Sequence, residues 1–258
     1  MAGEARSQAF MLGTATVMLG EPADLFSLTP AANSIGLVKN FSLSADSGYT
    51  ELTQGVRNQI VFSVKTSNKI MATMEAYEYT TANLTYALGL EGYAAGAAVT
   101  TSTTIAAGST VSVINVLSAA AAGLTNGDYI TIQTGAQDNV LVRKITNIST
   151  NAVTLDVDLP AVPTTGATVK KVNVVPIGSK TDDAILSAYI VGTIADGTEV
   201  AILLPKIRVT KGFNMAFNSG DFQNMPLEFT VYDLIQGDEH YDRFAEYGDC
   251  SAMLLTSK

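Results

Sequence analysis

Apolar and polar positions alternate most regularly near the C-terminal end of the chain. Residues 227–231 place an apolar side chain at every second position, which is the period of a half-buried strand. Residues 200–209 show a similar pattern that Pro205 interrupts, so this strand is predicted to lie at a sheet edge or to carry a bulge there. Residues 218–221 (NSGD) supply turn chemistry between the two strands.

Similar patterns predict four further strands and a helix before residue 92. The strands cover residues 10–19, 37–44, 60–66 and 69–79, and residues 24–40 are predicted to be mainly loop, with or without a short helix. Thr80 or Thr81 can cap a short helix that ends at Gly89, with Leu84 and Leu88 one turn apart on an apolar face. Residues 180–186 are predicted to form a short helix or turn. These elements indicate a mainly β (α+β) fold with one flanking helix.

Residues 45–59 form a long polar connection between two predicted strands. A connection of this length exceeds what a hairpin needs and is usually functional or disordered. Tyr49, Leu52 and Val56 are spaced among polar residues in it. The segment is therefore either an arm that packs on a neighbouring molecule through these three side chains or an ordinary surface loop.

A change in composition separates a middle section from the rest of the chain. Residues 92–108 carry no charge, and five short strands with turn signals between them follow at 110–116, 129–134, 140–148, 152–159 and 168–175. This pattern predicts a small all-β sandwich or barrel at residues 92–176. It is inserted into a discontinuous domain of residues 1–91 and 177–258.

The net charge of −9 lies entirely outside the predicted insert. The chain has 15 basic and 24 acidic residues; four of each fall in residues 92–176, so the flanking parts hold 11 and 20. A static nucleic-acid binder is expected to show a basic stripe, and this distribution is the opposite. Acidic surface also commonly serves solubility alone.

The sequence contains few residues that could catalyse a reaction or bind a metal ion. Residues 237–249 (GDEHYDRFAEYGD) hold the single His240 among carboxylates, a combination that can bind a divalent cation but is more simply a solvated acidic tail. Cys250 is the one cysteine and is interpreted as a packed small residue, which suits a reducing cytoplasm. No secretory signal or membrane-spanning run is recognised. No catalytic residue, metal ligand or cofactor is predicted, and an enzyme is the least favoured class.

Four segments carry a resemblance to a known family. They are SIGLVKNFSLSA (residues 34–45), YTELTQGVRNQIVFSV (49–64), MEAYEYTTANLTYALGL (74–90) and LPKIRVTKGFNMAFNSGDFQNMPLEFTVYDL (204–234). In their order along the chain and their residue pattern they resemble the major tail tube proteins of tailed bacteriophages. The tubes of contractile injection and type VI secretion machines have the same architecture as those of this family. The insert resembles small β domains that decorate phage structural proteins.

This resemblance implies a β-sandwich-like or barrel subunit that works as part of a virion tail assembled in the host cytoplasm. Six subunits would form a ring with a continuous barrel, and stacked rings would make a tube that conducts the genome. The implied partners are further copies of the chain, a tape-measure protein, and tail terminator and baseplate proteins, with double-stranded DNA present only in transit. An external insert would crowd a sheath, which favours a non-contractile tail.

Two expectations follow for the residues. An acidic inner wall would let DNA slide, and Glu75 and Glu228 are candidates for it because each lies on the polar face of a predicted strand. Tyr49, Leu52 and Val56 are candidates for the contact between subunits. The alternative function is a surface or secreted binding protein whose β insert recognises a carbohydrate or a protein.

Overall fold

The protein is mainly β, as expected. A computed structural model describes residues 15–54, 58–90, 102–133, 140–178, 184–193, 197–217, 220 and 222–256. The helices in this part of the chain are α1 (Pro30–Asn33), α2 (Thr81–Ala87) and α3 (Tyr241–Ala245). The strands are β1 (Ala15–Gly20), β2 (Val38–Gln54), β3 (Gln59–Ala76), β4 (Ser102–Thr104), β5 (Val113–Asn115), β6 (Tyr129–Gln133), β7 (Val140–Ser149), β8 (Ala152–Leu155), β9 (Thr168–Val172), β10 (Leu186–Thr193), β11 (Glu199–Lys211), β12 (Met225–Val231) and β13 (Met253–Thr256).

The chain divides into two compact units. The main unit comprises Met1–Tyr93 and Ile177–Lys258, and the inserted unit comprises Ala94–Pro176. The sequence placed these boundaries at residues 92 and 176, where the charge-free segment begins and the last short strand ends.

The main unit is one antiparallel sheet of seven strands. Their order is β1-β10-β11-β12-β3-β2, and β13 pairs with β11 beside β12. Every second side chain enters a core on the inner face of the curled sheet; in β12 these are Met225, Leu227, Phe229 and Val231, all buried. The alternation that the sequence shows in this strand is therefore confirmed.

Pro205 lies inside the sheet, at a bulge. Ala188 of β10 pairs with Leu204 and Leu186 pairs with Ile207, so two residues of β11, Pro205 and Lys206, face one residue of β10. On its other side β11 changes partner here, from β13 to β12. A residue without an N–H is tolerated because regular pairing is interrupted on both sides of the strand. The bulge was predicted correctly, and the edge position was wrong.

Helix α2 packs on the inner face of the sheet. Thr80 caps it, since its hydroxyl accepts a hydrogen bond from the backbone N–H of Asn83. The buried residues one turn apart are Asn83 and Ala87, not the predicted Leu84 and Leu88, which are only half-buried. The Asn83 side chain donates to two backbone carbonyls at 2.8 and 2.9 Å, so its burial leaves no donor unpaired.

The inserted unit is a curled sheet of six strands that closes on itself. The order is β4-β9-β6-β7-β8-β5, and a bridge between Ile105 and Val116 joins the two end strands. The N–H of Leu117 donates to the carbonyl of Thr104 across this junction, at 3.0 Å. A closed sheet leaves few backbone groups unpaired, so a unit of this size can fold around a small apolar core.

Three strands and one helix were missed by sequence patterns. Strand β4 lies within the segment that was interpreted as a break, and β10 begins at Leu186, where a helix or turn was predicted; residues 179–183 lie outside the described part. Helix α3 lies within residues 237–249, which were interpreted as an acidic tail, and strand β13 follows at Met253–Thr256, where no strand was predicted. Fully buried Phe244 anchors α3 on Leu203 at the outer face of the main sheet. The predicted strand at 10–19 is described only from Ala15 onward.

Candidate self-association surface

Residues 45–59 do not form the long loop that the sequence predicted. Strand β2 continues to Gln54 and β3 begins at Gln59, and the two pair in antiparallel register from Asp46↔Lys69 to Gln54↔Gln59. We call residues 46–54 and 59–69 the ribbon. At ~3.3 Å per residue, nine paired residues extend about 30 Å. The turn between the two strands, with Val56, lies outside the described residues.

The ribbon has no core of its own. Strand β12 pairs with β3 only from Ile70 to Ala76, so it stops where the ribbon begins. Within the ribbon every described residue is exposed except Gly48, which is half-buried. Two antiparallel strands alone are marginally stable in water. The ribbon is therefore the part of the described main unit with the least support from the same chain.

One face of the ribbon is apolar. Leu52 pairs with Phe62 and Thr50 pairs with Val64, so these four side chains lie together on one face. Leu52 and Phe62 are 62% and 61% exposed, and Val64 is 47% exposed. Exposed apolar clusters of this kind typically mark interaction sites. Phe62 and Val64 were missed because their alternation is also that of a strand with a buried face.

The opposite face of the ribbon is mostly polar. Tyr49 pairs with Lys65, and Glu51 pairs with Ser63. Tyr49 thus lies on the face opposite to Leu52, although both are exposed. The structure does not bring the three predicted anchors onto one surface: Tyr49 and Leu52 are on different faces, and Val56 is outside the described residues.

The outer edge of β2 is a second unpartnered feature. Within the described residues β2 pairs with β3 alone, although β1 contacts part of β2 where the sheet curls. No described strand pairs with the other edge of β2 along the ribbon. At the far end of the sheet, β1 pairs with β10, and its other edge is met by Ser34 and Ile35. A long open edge is a template for pairing with another chain.

Glu75 and Glu228 lie together on the outer face of the main sheet. Glu75 is opposite Pro226 and Glu228 is opposite Thr73 on β3 and β12, so the two carboxylates are diagonal neighbours. Buried residues alternate with both, which confirms that each occupies the polar face of its strand.

A lysine lies opposite each of these carboxylates. Lys39 of β2 pairs with Glu75, and Lys211 of β11 pairs with Glu228. Hydrogen bonds from Asn224, Asn40 and Tyr77 hold the pKa of Glu75 below its usual value, so this group is charged at neutral pH. This part of the sheet therefore carries both signs of charge in alternation.

The acidic C-terminal segment is built into the fold. The carboxylate of Asp238 accepts a hydrogen bond from the backbone N–H of Ile235 and forms an ion pair with the Nζ of Lys206 at 2.6 Å. Both contacts lower the pKa of Asp238. Asp233 accepts a hydrogen bond from Ser251. No three His, Cys, Asp or Glu side chains are grouped to hold a metal in the described residues.

The contacts of His240 and Cys250 indicate that both side chains pack within the fold. The His240 ring packs edge-on against Phe26 with centroids 4.8 Å apart, and its buried Nε2 has no hydrogen-bond partner. Burial raises the pKa of the Cys250 thiol, whose Sγ lies 3.5 Å from the carbonyl oxygen of Phe244. A thiol of this kind is poorly suited to act as a nucleophile.

Comparison with known proteins adds no relative. No protein-family model matches the chain, and no curated protein matches it in sequence. None of the helices in the described part of the chain has the length and apolar character needed to cross a membrane.

Proposed function

We propose that the chain is the structural subunit of a bacteriophage tail tube, in which rings of six copies stack into a hollow tube that conducts the genome into the host. The ribbon is the observation that carries this proposal. It extends about 30 Å from the sheet and exposes Leu52, Phe62 and Val64 on one face. A partner must cover this face if the ribbon is to be stable.

A second copy of the chain is the partner that the main unit supports best. Its sheet is curled and antiparallel, and no described strand pairs with the outer edge of β2, although β1 contacts part of β2. Joining such sheets edge to edge around a ring removes their open edges, as closure does in a barrel. The ribbons then extend beyond their own sheets and bind neighbouring copies.

The polar face that holds Glu75 and Glu228 suits the wall of a channel. Each carboxylate has a lysine opposite it, so no basic stripe forms there to hold phosphates. The main unit also carries the whole net charge of −9. The proposal places these two glutamates at the lumen, where DNA and a tape-measure protein pass without being retained.

The remaining assignments follow from the same proposal. Tail terminator and baseplate proteins would cap the tube, and the protein would be a virion component assembled in the host cytoplasm. The inserted unit would lie outside the tube, which favours a tail without a contractile sheath. The subunit itself performs no catalysis in this proposal.

Electron microscopy of the purified protein at rising concentration tests the proposal. We expect rings and stacked tubes with a central channel, and a shift from subunits to assemblies in light scattering. A protein that remains monomeric at every concentration would exclude the tube. It would instead favour the alternative function, a surface or secreted binding protein in which the inserted unit recognises its ligand.

A further inference from the structure

On the outer surface of the inserted unit, three adjacent strands present a regular array of side chains. Strand β6 lies between β9 and β7, and its buried residues Ile130 and Ile132 point into the core. The side chains in between therefore point outward. With the residues that pair with them they form three rows, Val172–Tyr129–Lys144, Lys170–Thr131–Val142 and Thr168–Gln133–Val140.

This array, which we call the β6 face, combines an aromatic ring, two cations and several hydrogen-bonding groups. Tyr129 is 37% exposed, and the Nζ of Lys144 lies 5.8 Å from the centroid of its ring. Lys144 and Lys170 are both exposed. Thr131, Thr168 and Gln133 contribute two hydroxyls and an amide.

The charge of the β6 face differs from that of the rest of the protein. Its three rows hold two lysines and no carboxylate, in a chain whose net charge is −9. Asp156 borders the face, and its Oδ1 accepts a hydrogen bond from the backbone N–H of Lys144 at 2.9 Å. The other basic residues of the inserted unit are used inside it: Lys171 pairs with Asp128, and Arg143 donates to the carbonyls of Val157 and Asp158.

We propose that the β6 face binds an acidic polysaccharide. An exposed aromatic ring can stack on the apolar face of a sugar ring. Lys144 and Lys170, in adjacent rows, can form ion pairs with carboxylate or anionic ester groups along the polysaccharide. Thr131, Thr168 and Gln133 can form hydrogen bonds with its hydroxyl groups. This inference concerns the inserted unit alone and does not depend on tube assembly by the main unit.

The charge of the whole chain favours a polysaccharide over a nucleic acid. A nucleic acid carries one charge per nucleotide and binds through many phosphate contacts. Two lysines provide few such contacts, and the −9 of the protein opposes a densely charged polymer. A polysaccharide with spaced acidic groups has a lower charge density and offers hydroxyls that the uncharged polar residues of the β6 face can bind.

Surface plasmon resonance with the full-length protein tests this inference. We expect binding to immobilised hyaluronate, which carries one carboxylate per disaccharide, weakening as salt is raised, and no binding to neutral dextran. Lys144→Ala with Lys170→Ala should weaken binding by about tenfold or more. The matched control, Lys180→Ala with Lys258→Ala, removes the same charge from the main unit and should bind as the parent does.

Variants of the aromatic residue separate stacking from charge. Tyr129→Phe keeps the ring and should retain binding, whereas Tyr129→Ala should reduce it. Circular dichroism and light scattering establish that each variant keeps the fold and assembly state of the parent. The inference is overturned if the parent does not bind hyaluronate, or if both lysine pairs reduce binding equally. If the protein binds a single-stranded oligothymidylate more tightly than the polysaccharide, the inference is overturned in favour of a nucleic acid.

Discussion

Leu52 and Phe62 lie directly opposite each other on β2 and β3, and both side chains remain more than half exposed. Such a pair normally stabilises a sheet by being covered on one face. Here no other part of the described chain covers it. The pair therefore marks the position at which a second molecule would contribute most to the stability of the ribbon.

Truncating this pair should prevent assembly without unfolding the subunit. We expect Leu52→Ala with Phe62→Ala to leave the circular dichroism spectrum near that of the parent, because neither residue belongs to a core. Rings and tubes should disappear from electron micrographs. Ordering a ribbon costs roughly 1–2 kcal/mol per residue of backbone entropy, so the loss of its anchors has a large effect.

A matched pair on the other face of the ribbon provides the control. Glu51→Ala with Ser63→Ala changes the neighbouring register position and removes no apolar surface. These variants should assemble as the parent does. If the Leu52 and Phe62 variants also form tubes, the apolar face is not the contact between subunits. Val56, which the sequence offered as a further anchor, remains an untested candidate.

The inserted unit should be dispensable for folding of the main unit. Replacing Ala94–Pro176 with a short Gly-Ser linker removes a unit with its own core. Loop-closure entropy changes slowly with length, so it does not oppose the shortened connection. We expect a cooperative thermal transition and tube formation by the shortened chain. Its recovery only as aggregate would show that the main unit needs the insert to fold.

Removing the anchor of α3 should destabilise the main unit. Phe244 is fully buried against Leu25 and Leu203, and its truncation to Ala leaves a cavity on the outer face of the sheet. A loss of about 3–5 kcal/mol in the free energy of unfolding is expected from urea denaturation. Tyr247→Ala, at a 72% exposed position nearby, should change it by less than about 0.5 kcal/mol. Equal losses in both variants would contradict the anchoring role.

The contribution of Asp238 should depend on pH. Its pKa is lowered in the folded state, first by the N–H of Ile235 and then by Lys206, so its stabilising effect is present above the ordinary value of 3.8. The effect is lost as the pH falls through the lower, folded-state pKa. At neutral pH Asp238→Ala should cost about 1 kcal/mol, a modest figure because the pair is partly exposed.

Urea denaturation at neutral pH and at about pH 2 measures this difference. The cost of Asp238→Ala should shrink at the acidic value, because the parent carboxyl loses its charge as the pH falls below 3.8 and through the lowered folded-state pKa. Glu246→Ala, at an exposed position of the same segment, serves as the control and should show no comparable change. A cost that is the same at both pH values would mean that the ion pair and the charged hydrogen bond do not stabilise the fold.

Sequence patterns predicted strands well where one face of the strand is buried and the other is exposed to solvent. Strand β12 is such a case, since Leu227 and Phe229 enter the core and Glu228 does not. Strand β10 lacks this signal because Leu186, Ser187 and Ala188 are all buried, so both of its faces are covered. Without a period of two, a strand cannot be told from other short apolar segments.

The ribbon shows a different limit of sequence patterns. The alternation of Phe62 and Val64 indicates a strand with an apolar face, but it does not state which molecule covers that face. Gly48 and the polar residues near it indicated a loop, although β2 continues through them with a register shift at Tyr49. The sequence pointed to this segment as a candidate contact surface, but its extended form and most of its exposed apolar residues depend on pairing between distant positions.

Reversing the charge of the two sheet glutamates should turn a non-adhesive surface into one that retains DNA. Glu75→Lys with Glu228→Lys leaves Lys39 and Lys211 opposite new lysines, so four cations replace an alternating pattern. If these residues line the channel, assembled tubes should bind a short duplex at least about tenfold more tightly at low salt, since affinity grows with each phosphate neutralised. Fluorescence anisotropy of labelled DNA over a salt series measures both the affinity and its slope. Glu199→Lys with Glu246→Lys adds the same charge at exposed positions that are not register neighbours of Glu75 or Glu228 and should bind DNA more weakly than the first pair. Equal binding by both pairs would show that only net charge matters, and that Glu75 and Glu228 do not define the inner wall.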